Sequence, residues 1–397
     1  MNEEHIILRA PSVSTRDIFA GSGGGFSTLE SAESIVAGLS VEVADLTTSD
    51  LADITRSPDV VAVAPGVPMK LVEPFERMDV PQPTAQSIAW GVQAVGADTS
   101  PFTGNGIVVA VLDTGIDAAH PAFAGVTIIQ KDFTGEGDGD QDGHGTHCAG
   151  TIFGQTVNGT RIGVATGVRK ALIGKVLGEN GGGSAGIVNA VNWAVQNGAN
   201  VISMSLGIDF PGLVKRLEGS GMPTELAVSK ALEGYRANVQ LFEKLAQLVR
   251  AGSGFFQPTL LIAAAGNESR RNVNPQFEIA VSPPAVSDGF ISVAALGQSG
   301  TQFSVAPFSN TGAIVAGPGV NILSAKPGGG FASMSGTSMA TPHVAGIAAL
   351  WAEQLRANGV LSPGTLTARL IASGVTGNLV SGFDPFDVGT GMVRAPQ

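Results

Sequence analysis

The chain has 397 residues, 43% of them apolar and only 14% charged, which supports a large buried core and excludes a mostly disordered protein. Its formal net charge of −11 repels phosphate and argues against nucleic-acid partners, and the single cysteine, Cys148, excludes an internal disulfide. Gly stands out at 55 residues with no Gly-X-Y period, so backbone freedom is needed at many places in a chain that is not collagen-like.

The elements read in chain order as follows. The terminus Met1-Asn2-Glu3-Glu4-His5 lacks a basic region followed by an apolar run, so no secretory signal is expected. No apolar run reaches the ~18 residues of a spanning helix. As written the chain reads as cytoplasmic and without a membrane partner; a trimmed signal would make it extracellular. Ile6–Leu8 reads as a strand and 17–28, with Gly21 and Gly23–Gly25, as a flexible loop. The alternation over Leu39–Leu46 predicts a half-buried strand, and Thr48-Ser49-Asp50 caps a helix over Leu51–Arg56. Val60–Val63 and Met69–Val72 are strand-like. Together these predict a small α+β unit over 1–73.

Residues 74–106 hold Pro74, Pro81, Pro83 and Pro101 and read as a linker and extended arm. From 107 on, apolar runs recur at Ile107–Leu112, Ala171–Leu177, Val201–Leu206, Thr259–Ala265 and Phe290–Ala295. Helical patterns separate several of them, such as Ala185–Gln196 with Gly198 as its stop. Continuous apolar strands alternating with helices predict a parallel sheet covered on both faces. Residues 210–251 predict a long amphipathic helix with Leu232, Tyr235, Val239, Phe242, Leu245 and Val249 on its inner stripe.

Four motifs carry candidate chemistry. In Val111-Leu112-Asp113-Thr114-Gly115, an Asp ends a buried strand, where open α/β sheets place their sites. A second Asp-Thr-Gly is absent, which excludes a shared-proton carboxylate dyad, and no Gly-x-Gly-x-x-Gly follows. In Asp142-Gly143-His144-Gly145-Thr146-His147-Cys148, small residues crowd His144 at a helix start; His147 reads as structural and Cys148 as a small core residue. The preceding Asp138-Gly139-Asp140-Gln141-Asp142-Gly143 opens like an EF-hand loop but has Ala149 at the twelfth position, so it reads as a solvated acidic turn or as a looser calcium site through Asp138 and Asp140. In Ala263-Ala264-Ala265-Gly266-Asn267-Glu268, a buried strand runs out to the Asn267 amide, a turn residue or a donor to an oxyanion. In Gly336-Thr337-Ser338-Met339-Ala340-Thr341-Pro342, Ser338 falls in the first turn of a helix, an N-cap or a nucleophile beside free N–H groups.

Asp113, His144, Asn267 and Ser338 follow one another in the order Asp…His…Ser that subtilisin uses. On these motifs the chain resembles the subtilisin-like serine proteases, the subtilases, over roughly residues 85–395. The resemblance implies a subtilisin-like three-layer α/β/α domain with a mostly parallel sheet over 107–397, carrying a helical insertion at 210–251. It also implies a small α+β, ferredoxin-like prodomain before it, acting as an intramolecular inhibitor. By the same resemblance Asp113, His144 and Ser338 form the triad, and the Asn267 amide and the Ser338 backbone N–H form the oxyanion hole. Ser205-Leu206-Gly207 and Gly181-Gly182-Gly183 bind a polypeptide substrate as an added strand, and Glu268 lies at the rim of the primary specificity pocket. No cofactor is implied for the chemistry. Ala122 stands where members with a strong calcium site carry Asp, and 151–162 lacks their asparagine placement, which argues against calcium dependence. The expected activity is a serine endopeptidase made as a zymogen that cuts itself between about Met69 and Ala85. A maturation protease for one partner protein and a catalytically silent binding protein on the same fold are the alternatives.

Overall fold

The computed structural model describes residues 3–10, 40–80, 86–253 and 257–397; the predicted glycine loop at 17–28 lies outside them. The N-terminal unit holds β1 (Glu3–Arg9), β2 (Ser40–Leu46), α1 (Thr48–Ile54) and β3 (Val60–Pro65). Its strands form an antiparallel sheet in the order β2-β1-β3. Ile6 and Leu8 are buried in it, as the short apolar run demands. Helix α1 starts three residues earlier than predicted, because Thr47 and Asp50 form a reciprocal capping box.

β4 (Pro68–Leu71) departs from the sequence-based expectation. It does not join the small sheet, but lies between β12 (Gly182–Gly183) and β14 (Leu206–Ile208) of the large domain. The arm beyond it is not a bare linker either. β5 (Glu76–Val80) pairs antiparallel with β20 (Phe331–Ser335), which also pairs with β19 (Ile322–Ala325). β6 (Ser87–Ile88) joins the small strands β9 (Thr156–Val157) and β10 (Thr160–Arg161), and α2 (Trp90–Ala94) follows.

The large sheet runs β17 (Gln302–Val305), β16 (Phe290–Ser299), β15 (Leu260–Ala264), β13 (Val201–Met204), β7 (Val108–Asp113), β11 (Lys170–Lys175) and β8 (Thr127–Asp132), with β18 (Val315–Pro318) also on β16. All its pairs are parallel except β16 with β17. β13 and β15 are buried at every position, as strands covered on both faces must be. Helices α3 (His144–Phe153) and α7 (Thr337–Ala357) pack together on the sheet; α4 (Ser184–Gln196) and α6 (Thr224–Gly252) pack together elsewhere on it. α8 (Pro363–Ala372) and α9 (Pro385–Val388) close the chain.

α3 is buried along its whole length, and α7 is buried on all sides from Thr337 to Leu350. Small residues (Gly, Ala, Ser, Thr and Cys) make up more than half of these stretches, which lets the backbones approach closely. The predicted insertion divides into α5 (Phe210–Gly219) and α6. The inner stripe of α6 differs from the predicted one in its first half. Leu232 is 47% exposed, and Ala231, Gly234 and Asn238 face inward instead. That half of the helix lies against the end of β3, where small side chains admit the approach: a Cβ on Gly234 would sit 3.5 Å from Val67. Among the described residues no helix is long and apolar enough to cross a membrane.

Candidate active site

β7 delivers Asp113 at its C-terminal end, 1% exposed. Asp113 Oδ1 accepts from the Thr114 amide at 2.8 Å and from His144 Nδ1 at 2.8 Å. An ionised carboxylate can only accept, so Nδ1 carries the proton and Nε2 presents its lone pair. Nε2 is buried and has no hydrogen-bond partner among the described residues. Burial, the largest single effect, pushes the His144 pKa down, but the Asp113 charge and hydrogen bond together with the Cys148 contacts override it and hold the imidazole well above 6.5.

His144 opens α3 directly after Gly143, whose φ of 94° turns the chain into the helix. The Asp113 loop and this helix start meet glycine to glycine. A Cβ on Gly145 would lie 2.2 Å from the Gly115 carbonyl, and one on Gly115 would lie 2.1 Å from the Gly139 carbonyl. Asp140 braces the same corner. Its two oxygens accept from Thr114 Oγ1, Gly143 N, Thr146 N and Thr146 Oγ1, all within 2.8 Å. Four protein donors thus occupy the carboxylate that the sequence offered to calcium, and Asp138 stands apart as an exposed residue. Among the described residues the grouping with metal-ligand geometry is Asp113, His144 and Cys148. His147 engages β19 instead, through Nε2 to the Ile322 carbonyl at 2.9 Å. Burial drives its pKa to about 3, so it is neutral.

Ser338 is the second residue of α7 and is fully buried. Pro342 sits four residues on and has no N–H to give to the Ser338 carbonyl. That carbonyl is met from outside the helix instead, by Ser205 Oγ at 3.3 Å and Cys148 Sγ at 3.4 Å. Asn267 follows β15 through Gly266, whose φ is 112°. Its Oδ1 accepts from Thr337 N and Thr337 Oγ1, both at 2.9 Å. The amide is thereby oriented, with Nδ2 pointing away from Thr337.

What covers Ser338 is the chain itself. β4 forms the middle strand between β12 and β14, with Met69 opposite Gly182, Lys70 opposite Gly207 and Leu71 opposite Leu206. The Val72 amide then donates to the Ser205 carbonyl at 3.2 Å. Ser338 Oγ donates to the Val72 carbonyl at 2.8 Å, and Asn267 Nδ2 donates to the Glu73 carbonyl at 2.8 Å. The Phe75 amide reaches the Ser335 carbonyl at 2.6 Å, its ring stacks on Phe308, and β5 continues along β20. Residues 68–80 therefore run unbroken through a cleft and across Ser338. Met69, Leu71 and Val72 are buried there, while Glu73 faces solvent.

Asp113, His144, Asn267, Ser338, Gly182–Gly183 and Ser205–Gly207 thus converge on one groove, and Gly181 borders it. Glu268 takes no part in holding 68–80. Its Oε2 accepts from Asn310 Nδ2 at 2.8 Å, beside Gly266. Of the bracing residues, Asp140 reads in the sequence only as a calcium candidate, and Thr337 and Asn310 carry no signal beyond being small polar groups.

A model of the subtilase family matches residues 104–385. This chain belongs to the subtilase family of serine endopeptidases. It is 35% identical over 315 residues to a thermostable alkaline protease of Halalkalibacterium halodurans, covering 77% of this chain and 71% of that protein. It is 36% identical over 316 residues to subtilisin-like protease 1 of Trichophyton rubrum, covering 75% of this chain and 52% of the relative. Among solved structures it is similar to fervidolysin from Fervidobacterium pennivorans, a keratinolytic enzyme related to subtilisin. The TM-score is 0.65 at 22% identity, over 99% of this chain and 60% of that one. The subtilase chain thus spans little more than half of some of its relatives.

Proposed function

We propose that the chain is a self-processing zymogen of a serine endopeptidase, with Ser338 as nucleophile, His144 as general base and Asp113 as its orienting carboxylate. The observation that carries this is a backbone segment of the chain seated as a strand in the groove, with the Val72 carbonyl on the Ser338 hydroxyl. A Ser hydroxyl is a weak nucleophile until a base takes its proton. His144 Nε2, buried and unpartnered, is the acceptor for that proton. Asp113 holds the tautomer and stabilises the imidazolium that results. Attack on the Val72 carbonyl carbon places negative charge on its oxygen; the Ser338 backbone N–H receives it, joined by the Asn267 amide once that amide leaves the neighbouring Glu73 carbonyl, to which it donates in the intact chain. His144 then returns the proton to the Glu73 nitrogen, the Val72–Glu73 bond breaks, and water hydrolyses the acyl-enzyme at Val72.

The position of Pro74 supports a cut after Val72 rather than after Glu73. A cut after Glu73 would expel a tertiary proline nitrogen, whereas a cut after Val72 expels an ordinary amide nitrogen. In this reading residues 1–72 are the inhibitory prodomain, and the groove afterwards takes external polypeptides in the same extended form. No cofactor is needed for any step, and calcium is not assigned a site. The intact constellation and its seated peptide favour an active enzyme over a silent binding protein. A fluorophosphonate probe tests the reading. It is expected to label the wild type and not Ser338→Ala, and equal labelling of both would remove Ser338 as the nucleophile.

A further inference from the structure

The first turn of the inserted helix pair touches the segment in the groove. Asp209 caps α5, its carboxylate accepting from the Gly212 amide at 3.2 Å. Its own amide donates to the Pro68 carbonyl at 3.1 Å, so its backbone is part of the groove wall. From that fixed position its carboxylate meets Lys70 Nζ at 3.2 Å. Lys70 lies two residues before Val72 and opposite Gly207 in the strand register, with its side chain 41% exposed. The groove around it, about 690 Å³, is also lined by Asp142, Glu179 and Arg216, while the buried Lys175 is already paired with Glu136.

From this we infer that Asp209 is a specificity residue, and that the enzyme favours Lys or Arg at the third residue before the cut. The inference rests on the proposed cut after Val72. Two features fit the role. Asp209 is held by the cap at Gly212, so pairing with a substrate costs little side-chain order. It also stands at the mouth of the groove, where the partner of a bound substrate, unlike Met69 or Leu71, remains in contact with water. An exposed pair of this kind is worth only a small factor, roughly 2- to 5-fold, and is weakened by salt.

The test uses quenched fluorescent peptides copying residues 67–78, with Lys, Gln or Glu at the position of Lys70, and the self-processed wild type beside Asp209→Asn and Asp209→Lys. Asn caps a helix as well as Asp does, so α5 keeps its start in the first variant. For the wild type kcat/KM is expected to fall about 3-fold from Lys to Gln and about 10-fold from Lys to Glu at low salt, with both ratios shrinking in 0.5 M salt. In Asp209→Asn the three peptides are expected to converge, and in Asp209→Lys the Glu peptide is expected to lead. Product masses show where each peptide is cut. Cleavage after Val72 with ratios identical in all three enzymes would overturn the role of Asp209 alone. Cleavage at another bond would overturn the register as well.

Discussion

Asn267 shows how one side chain is fixed for its task. Thr337 takes both lone-pair directions of Oδ1, so the amide hydrogens can only point into the groove. Replacing a single such donor in subtilisin, a relative of this chain, costs about 10²–10³ in kcat. The same order of loss is expected for Asn267→Ala, with KM little changed, in steady-state assays on a peptide substrate. At His144 the Asp113 charge and hydrogen bond, with the Cys148 contacts, together outweigh burial and hold the pKa well above 6.5. Only the neutral ring can take the Ser338 proton. The rate kcat/KM is therefore expected to be full at alkaline pH and to fall as pH drops through a limb above 6.5. Asp113→Asn removes the charge that raises the limb; a pH profile should show the limb lower and the plateau reduced by about 10⁴. The four residues proposed for the chemistry were legible as candidates in the sequence because each lies in a short motif whose neighbours, Gly115, Gly145, Gly266 and Gly336, are needed for close approach. Asp140 and Asp209 were not. A run of Asp between glycines reads the same whether its carboxylates face water, calcium or, as for Asp140, four protein donors.

Elements set how tightly these residues meet. The Asp113 loop and the start of α3 touch through backbone at Gly115 and Gly145, and a methyl group at 145 would fall inside the Gly115 carbonyl. Gly145→Ala is expected to separate Asp113 from His144, with a drop of several degrees in a thermal melt and a loss in kcat of up to about 10². On the other side of the groove, Asn238 of α6 is fully buried and donates to the Pro65 carbonyl at 2.9 Å, where the N-terminal unit joins β4. Asn238→Ala leaves that carbonyl without its donor, a loss of about 1–3 kcal/mol to the docked unit. A shorter lag between self-cleavage and the appearance of peptidase activity is the expected result in a progress curve. Five of the eight strands of the large sheet, β7, β11, β13, β15 and β16, were predicted, because runs buried on both faces carry their own signal; the half-exposed β8 and β17 and the short β18 were not. β5 was not: it reads as an exposed, proline-flanked arm, and its partner β20 lies some 250 residues away. The strand at Met69–Val72 was visible, and the edges at 182–183 and 206–207 were expected to take a polypeptide strand, but nothing in either run says that they pair with each other.

Over the whole molecule, the chain passes from the small sheet, through the groove and on to β20 without a break, so its own residues 68–80 compete with any substrate. Mass action strongly favours this tethered occupant while the connection is intact. Cutting one bond changes that, because the two halves of the segment then leave the groove independently. The insertion at 210–251 takes part at this scale: α6 supports the end of β3, and α5 brings Asp209 to the segment. The most direct measurement is the intact mass and N-terminal sequence of purified wild type beside Ser338→Ala. The wild type is expected to yield two fragments with a new terminus at Glu73, and Ser338→Ala to remain one uncut chain. An uncut wild type that hydrolyses peptides at full rate, or the same cut in Ser338→Ala, would contradict a self-processing zymogen built on Ser338.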